Sequence, residues 1–525
     1  MKWLFIACMC FSSALWARTL TTEQKLADLS ELVGHIKAGY GPLQYKKVKL
    51  GLDLEVLKDK YTALIKGSKS NSEFYYLMVK FVAEFNDSHF GATVKSTYQS
   101  RLGFTTDLIQ GKVLIDQIDR TKLPLDKFPY EKGDEILSMD GRDIQAEVKE
   151  LSQYMGQGYS LTALRKAAML VAKRKANKVP VKSGAAELEI RRGDSLVSEK
   201  VSLNWYNVGD HMDEVENKVT LRSLKRKTAL NYDQLTLPET EEGFRCSGDT
   251  RIKIPAEATI IMKSPFVAYY WPSAKGNLGY LRIPHYLPEE ADPKIDAYAL
   301  RFKQYEYAVK VLEQNTVGLV IDQDHNCGGS VDWLHRILGL FIDRPFEPMQ
   351  FELLANKQSL VEFESWMTEV FENTIEYDNL VTVKDLIKDT WMNTDSYLTK
   401  KTSIDGQALV YPNAIRYSKP ILMLIDEMSG SGGDAFPSQM QGFGRAKLLG
   451  TRTMGAGGHV VELPALNNSQ ILIRMTKSLF YRPDQIAVEN NGAAPDIKYS
   501  PSVNDFKYGY LEYRDFYTKA LLNML

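Results

Sequence analysis

The chain has 525 residues, 44% of them hydrophobic and 25% charged, with a formal net charge of −1. That length exceeds one small core and predicts two to four domains at roughly 100–200 residues each. The near-neutral balance, with no basic block, excludes a charge-driven binder of nucleic acid or of an anionic membrane.

Met1-Lys2 leads into the apolar run Trp3–Trp16 and then Ala17. A short positive start, an apolar core and a small residue predict a secretory signal over 1–17. The run is too short for a spanning helix, which needs about 20 residues. A membrane anchor, a buried strand and a lipidated Cys8 are the competing readings. Cys8 and Cys10 fall inside this segment, so a mature chain keeps only Cys246 and Cys327. These could pair in an oxidising compartment, but spacing alone does not show it. No Cys/His cluster has zinc spacing, so no metal is expected.

From 18 to 95 the pattern is helical. Leu26, Leu29, Leu32, Val33 and Ile36 recur at three- and four-residue intervals, and Phe74, Leu77, Met78, Phe81 and Phe85 do the same. This region ends in the loop Asn86–Gly91, which carries Ser88 and His89, followed by a strand-like ATV.

From 96 to 206 strand signals dominate. Leu102–Ile109 and Lys112–Ile118 flank a Gln110-Gly111 turn, and Asp140-Gly141 marks a hairpin. A helix is expected around Leu161–Lys175, then a hairpin over Ala186–Trp205. Residues 207–275 are mixed and polar, with a basic Lys218–Lys227 stretch, and are taken as a connector.

From 276 to 500 strands and helices alternate. Leu278–Ile283, Val317–Asp322, Ile421–Asp426 and Ala446–Thr451 read as strands. Ile295–Gln314, Val331–Ile342 and Ala435–Gly444 read as helices. Near-continuous apolar strands alternating with helices predict a parallel or mixed α/β sheet. Residues 346–409 are an insertion, largely helical, and 501–525 end in a helix over Tyr508–Leu525. The fold class expected is multidomain α/β: a helical front, a β-rich middle and a mixed α/β rear.

Two glycine-rich loops leave buried strands in the rear region, Asp324–Ser330 and Glu427–Asp434. Ligands in open α/β sheets favour that edge. Two such loops side by side could point backbone N–H groups at a developing oxyanion, with a serine between them as nucleophile. The serine needs a base from among His35, His89, His211, His285, His325, His335 and His459. His35 and His335 fall on predicted helices, whereas His89 sits in a loop that suits a positioned side chain. Taken singly, Ser431 is an ordinary turn residue, His89 a loop or core histidine, and Glu489 a solvated carboxylate. No Gly-Lys-Ser/Thr follows the glycines, against a P-loop. The run SGSGG lacks the first glycine of a nucleophile elbow, against an α/β-hydrolase.

The block Pro420–Gly458 resembles the core motif of the C-terminal processing (tail-specific) serine peptidases. IDQDHNCGG (Ile321–Gly329) echoes the family's first glycine loop, LGYLRI its opening strand, and VENNGAAPD (Val488–Asp496) its Glu-Asn motif. Arg101–Phe104 and Lys132–Leu137 resemble a PDZ domain, whose loop, here Leu102, Gly103 and Phe104, would capture a peptide terminus. The resemblance implies a ClpP/crotonase-like catalytic domain, Ser431 as nucleophile and Ser429 as a turn residue. One branch of the family takes its base from a lysine in the segment equivalent to Thr453–Val460. That segment here has none, and Ala456 stands about where the lysine would be. The other branch, which includes the tricorn core and the chlamydial protease-like activity factor, takes a histidine and a glutamate. The resemblance thus implies a Ser431-His89-Glu489 triad assisted by Ser88, with Gly432 and Gly328 or Gly329 binding the oxyanion. Asp434 stands where the family often has Glu, and Asp324-His325 displaces its usual arginine.

These residues lead to the expectation of a secreted or periplasmic serine endopeptidase acting on protein or peptide, without a cofactor. It would not insert stably in a membrane once the signal is cut, would bind no nucleic acid, and is allowed to homodimerise. The competing expectation is an inactive relative that holds peptides or an apolar ligand in the same cleft. A zymogen whose connector covers the cleft is a variant of the first.

Overall fold

The computed structural model describes residues 19–193, 195–210, 246–287 and 295–525. The signal segment, His211 and the basic stretch Lys218–Lys227 lie outside the described residues.

The helical front is built of Thr22–Gly39, Leu43–Leu50, Leu54–Lys66 and Asn71–Ala83. Their starts are capped as the sequence suggests: Thr21 and Gln24 form a capping box, Asp53 accepts from Glu55 and Val56, and Ser70 accepts from Glu73. The stripe Leu29, Leu32, Val33 and Ile36 packs on Phe74, Met78 and Phe81. This core is completed from far along the chain by Leu466, Ile471, Ile473 and Met475. Strand Gly91–Thr93 pairs antiparallel with Leu472–Thr476, so the segment after the histidine loop is tied to the rear of the chain.

The β-rich middle is an antiparallel sheet of Phe104–Ile109, Lys112–Ile118, Glu135–Met139, Ala185–Arg191 and Ser198–Asn204, in that order. Two helices, Ile144–Ser152 and Ser160–Ala168, cover it. The second helix stops at Ala168, short of the expected Lys175, because Lys173–Lys175 instead pairs as a strand with Gln99–Arg101.

The rear sheet has seven strands in the order Thr259–Met262, Ala268–Trp271, Leu278–Arg282, Gly318–Asp322, Ile421–Ile425, Ala446–Gly450 and Ile497–Lys498. The last five run parallel. Side chains alternate between two cores. Ile421, Met423 and Ile425 join Tyr305, Trp333 and Phe436 on one face, and Leu422 and Leu424 join Tyr513, Tyr517 and Leu521 on the other. Both faces are covered, which is why these strands read as unbroken apolar runs. Ile109 and Leu114 of the middle domain pack into the second core. The insertion returns to this body through strand Gln350–Leu353, paired with Ser478–Tyr481. Among the described residues, no helix is long and apolar enough to cross a membrane.

Candidate active site

Strand Ile421–Ile425 delivers the chain into Asp426–Ser431, and helix Gly432–Gly442 leaves it. Ser431 sits at the corner with φ 60° and ψ −116° and keeps part of its surface exposed. Such a backbone costs a non-glycine residue about 1–3 kcal/mol and persists only when the surroundings hold it. Asp434 is one such restraint. Its Oδ2 accepts from Ser431 N at 2.8 Å and Ala456 N at 2.9 Å, and its Oδ1 from Thr453 Oγ1 at 2.5 Å and Gly455 N at 2.7 Å. Burial pushes this carboxyl up to about 6 against the pull of those donors.

The first glycine loop lies against the turn. A Cβ on Gly328 would stand 2.6 Å from Ser431 Cβ and 2.8 Å from Gly432 N. Gly430 N donates to Asn326 O at 3.0 Å, and Ser429 Oγ lies 2.8 Å from both Gln323 O and Asp426 Oδ1. Ser429 is fully buried, as a turn residue would be. Pro437 cannot donate to Gly433 O within the helix. Gln323 Nε2 does so instead at 2.8 Å, and Gln323 Oε1 accepts from Tyr286 at 2.5 Å.

Of the expected oxyanion donors, Gly432 is the first helical residue, where an N–H has no intrahelical acceptor. Gly328 N–H is already given to Asn326 Oδ1 at 2.8 Å.

Asp87 shapes the histidine loop from within. Its Oδ1 accepts from His89 N at 2.8 Å and its Oδ2 from Tyr40 at 2.8 Å. His89 is half-buried, and its Nδ1 is buried without a hydrogen-bond partner among the described residues. Desolvation, aided by the Arg474 and Lys166 charges and opposed by Asp87, lowers the imidazole to about 4, so it is neutral at neutral pH.

Glu489 is fully buried. Its Oε2 accepts from Gly457 N at 2.9 Å, and its Oε1 pairs with Lys46 Nζ. Burial, with Asp87 nearby, pushes the carboxyl up to about 8, and Lys46 pulls it down. Ser88 Oγ donates to Gln157 Oε1 at 2.7 Å rather than toward Glu489.

All three elements meet on Thr453–Gly458. Met454 N donates to Ser429 O and Asn490 N to Gly455 O, Asp434 and Glu489 take N–H groups from it, and the Gly458 backbone acts on the His89 ring. No direct hydrogen bond joins His89 to Ser431 or to Glu489 among the described residues. In substrate-free sites such bonds are commonly long and tighten in the complex.

Two other described histidines, His325 and His459, have partners of their own. His325 is buried beneath the turn, with Nδ1 2.5 Å from Asp426 Oδ2. His459 Nδ1 lies 2.7 Å from the buried Ser478 Oγ, and its Nε2 3.5 Å from Glu362. Among the described residues no cluster could hold a metal ion. The middle domain reaches the site through Lys166, which donates to Gln157 Oε1 at 3.0 Å, and through Thr162 and Arg165, which bind Glu427 at 2.7 Å each. Sequence reasoning missed these, and missed Lys46. Nothing in LQYKKVKL separates Lys46 from its exposed neighbours.

In the loop expected to capture a peptide, Leu102 N–H is donated to Ala172 O at 3.0 Å. Thr106 Oγ1 donates to Ala168 O at 2.6 Å, and Arg165 grips Asp107 at 2.8 and 2.9 Å. The strand after the loop is therefore stitched directly to helix Ser160–Ala168.

Comparison with known proteins bears on this geometry. The model of peptidase family S41 matches residues 277–499, and that of a PDZ domain matches 98–219. Residues 277–499 form a peptidase S41 domain. The family read from the motifs is therefore right, and so is the multidomain α/β class. A protein of Chlamydia trachomatis serovar D is 26% identical over 100% of this chain and 97% of its own. The tricorn protease of Thermoplasma acidophilum is 29% identical over 23% of this chain and 11% of its own. Among solved structures, mature CPAF superposes with a TM-score of 0.79 at 25% identity, covering 95% of this chain and 97% of that one. The S41 domain and the CPAF-like fold support a serine peptidase.

Proposed function

We propose that the chain is an exported endopeptidase, secreted or periplasmic, that cuts protein substrates through an acyl-enzyme on Ser431. The observation that carries this is the Ser431 corner: a serine at φ 60° on a helix N-terminus, with the Gly328 backbone pressed against it. In the proposed reaction Ser431 Oγ attacks the scissile carbonyl as His89 takes its proton. The carbonyl oxygen gains charge against Gly432 and Gly329 N–H. Collapse breaks the C–N bond, and His89 returns the proton to the leaving amine. Water, deprotonated by the same imidazole, then frees Ser431. In its ionised form Glu489 stabilises the imidazolium, and Asp87 fixes the loop that carries the histidine. Ser88 acts on the loop through Gln157.

A fluorophosphonate tests this directly. Labelling of the mature protein at Ser431 is expected, with none in Ser431→Ala and little in His89→Ala. Mature CPAF is described in complex with lactacystin, so competition by lactacystin is a second expected result. Undiminished labelling in Ser431→Ala would end this reading. The rival, a relative that binds peptides without cutting them, draws on the lack of a direct His89–Ser431 hydrogen bond. Peptide binding with neither turnover nor labelling would select it.

A further inference from the structure

Lys46 is fully buried, as is the carboxylate it meets. Its ammonium has three acceptors: Glu489 Oε1, Asn490 Oδ1 at 2.8 Å and Asn86 O at 3.0 Å. Asn490 Nδ2 donates to the same Asn86 O at 2.7 Å. Asn86 precedes His89 by three positions, and Asp87 in between binds the His89 N–H. One lysine from the front helix thus joins the loop carrying the base to the glutamate of the rear motif. A buried ion pair brings little net stability for its desolvation, so its placement here calls for another reason.

We propose that Lys46 is a positioning residue of the peptidase site, biasing Glu489 toward its ionised form and locking the His89 loop against it. This rests on the Ser431-His89-Glu489 reading and adds a fourth residue to it. Glu489 and Asp87 are both fully buried, and the Asp87 charge adds to burial in raising the Glu489 carboxyl. The ammonium between Glu489 and the Asn86 carbonyl opposes that rise. Other titratable groups face the pair: Tyr45, whose hydroxyl donates to Glu489 O at 2.7 Å, Tyr40 on Asp87, and Arg452, whose charge acts on Tyr45. Neither tyrosine is a cation, so neither replaces Lys46. Lys46 is among the groups that pull the Glu489 carboxyl down, so its removal sends that ionisation to higher pH.

The experiment is the pH profile of kcat/KM on a fluorogenic peptide, using the full mature chain. In Lys46→Met the acid limb should move up by about one pH unit or more, which is about tenfold in rate at a fixed pH on that limb. KM should change by less than about threefold, since Lys46 touches no substrate. Lys46→Arg, which keeps the charge, should retain the wild-type limb. In a Glu489→Gln background Lys46→Met should leave the limb where Glu489→Gln alone puts it. A wild-type limb in Lys46→Met, or the same shift with and without Glu489, would overturn the proposal. Should Lys46→Met not accumulate folded, Lys46→Gln, which can still donate to Asn86 O, carries the same expectation. If Ser431→Ala or His89→Ala stays active, the reading of the site fails. If both are dead while Lys46→Met behaves as wild type, only the role of Lys46 fails.

Discussion

Gly328 is the position where the two glycine loops press closest, and Gly328→Ala measures that contact. The residue has φ +80°, and an added Cβ would meet Ser431 Cβ at 2.6 Å, Gly432 N at 2.8 Å and Gly430 O at 2.9 Å. A side chain in the left-handed region costs about 1–2 kcal/mol. Overpacking against backbone that cannot turn aside costs about 1–3 kcal/mol more. If the loops hold, stability should fall by the sum, about 2–5 kcal/mol. If they part instead, Gly432 N–H moves relative to Ser431, and a displacement near 1 Å costs about 100-fold in rate. Gly184→Ala is the control: its φ is +79°, with nothing within 4 Å of the new Cβ. It should cost only the backbone share and leave activity alone. Urea unfolding and the second-order rate of fluorophosphonate labelling, run together, separate the outcomes. Gly328→Ala that matches the Gly184→Ala control in stability and labels at the wild-type rate would show that the loops do not abut.

The surroundings of the turn give further outcomes. Arg165 is buried between Asp107 and Glu427. Arg165→Met leaves Asp107 only Arg251, at 3.4 Å, and Glu427 without an ion pair among the described residues, and should destabilise by about 3–5 kcal/mol in urea unfolding while slowing labelling of Ser431. The Asp434 carboxyl, raised to about 6 from an ordinary 3.8, binds a proton more readily folded than unfolded. Its contribution is full below about pH 3.8 and lost as pH rises through about 6, about 3 kcal/mol in all. Asp434→Asn should remove that slope from the stability–pH curve. Cys246 and Cys327 are bonded, closing a sequence separation of 81. Peptide mapping without reductant should recover the linked pair, and Cys246→Ser with Cys327→Ser should lower stability by about 2–5 kcal/mol.

Much of the site is written in local sequence. The apolar run Ile421–Ile425, the glycines after it and Ser431 between them mark a buried strand breaking into a close-packed turn, because period and backbone freedom are properties of neighbours in the chain. The same holds for the capped front helices and the Asp140-Gly141 turn. The pairing of Cys246 with Cys327 was left open by spacing and appears only in the fold. So does the completion of the front helical core by Leu466–Met475, since a hydrophobic stripe shows that it will be covered but not by what.

The sequence by itself determined most of the elements, the family motifs and the turn at Ser431, because each depends on residues a few positions apart. Only the tertiary structure decided who attends the site. It brought Lys46 to Glu489, Arg165 to Glu427 and Gln323 to the carbonyl that Pro437 leaves without a helical donor, and it committed Gly328 N–H to Asn326. The physical reason is that a buried charge or an orphaned backbone group must find a partner wherever the fold supplies one. A lysine destined for that duty has the same local signature as one destined for water.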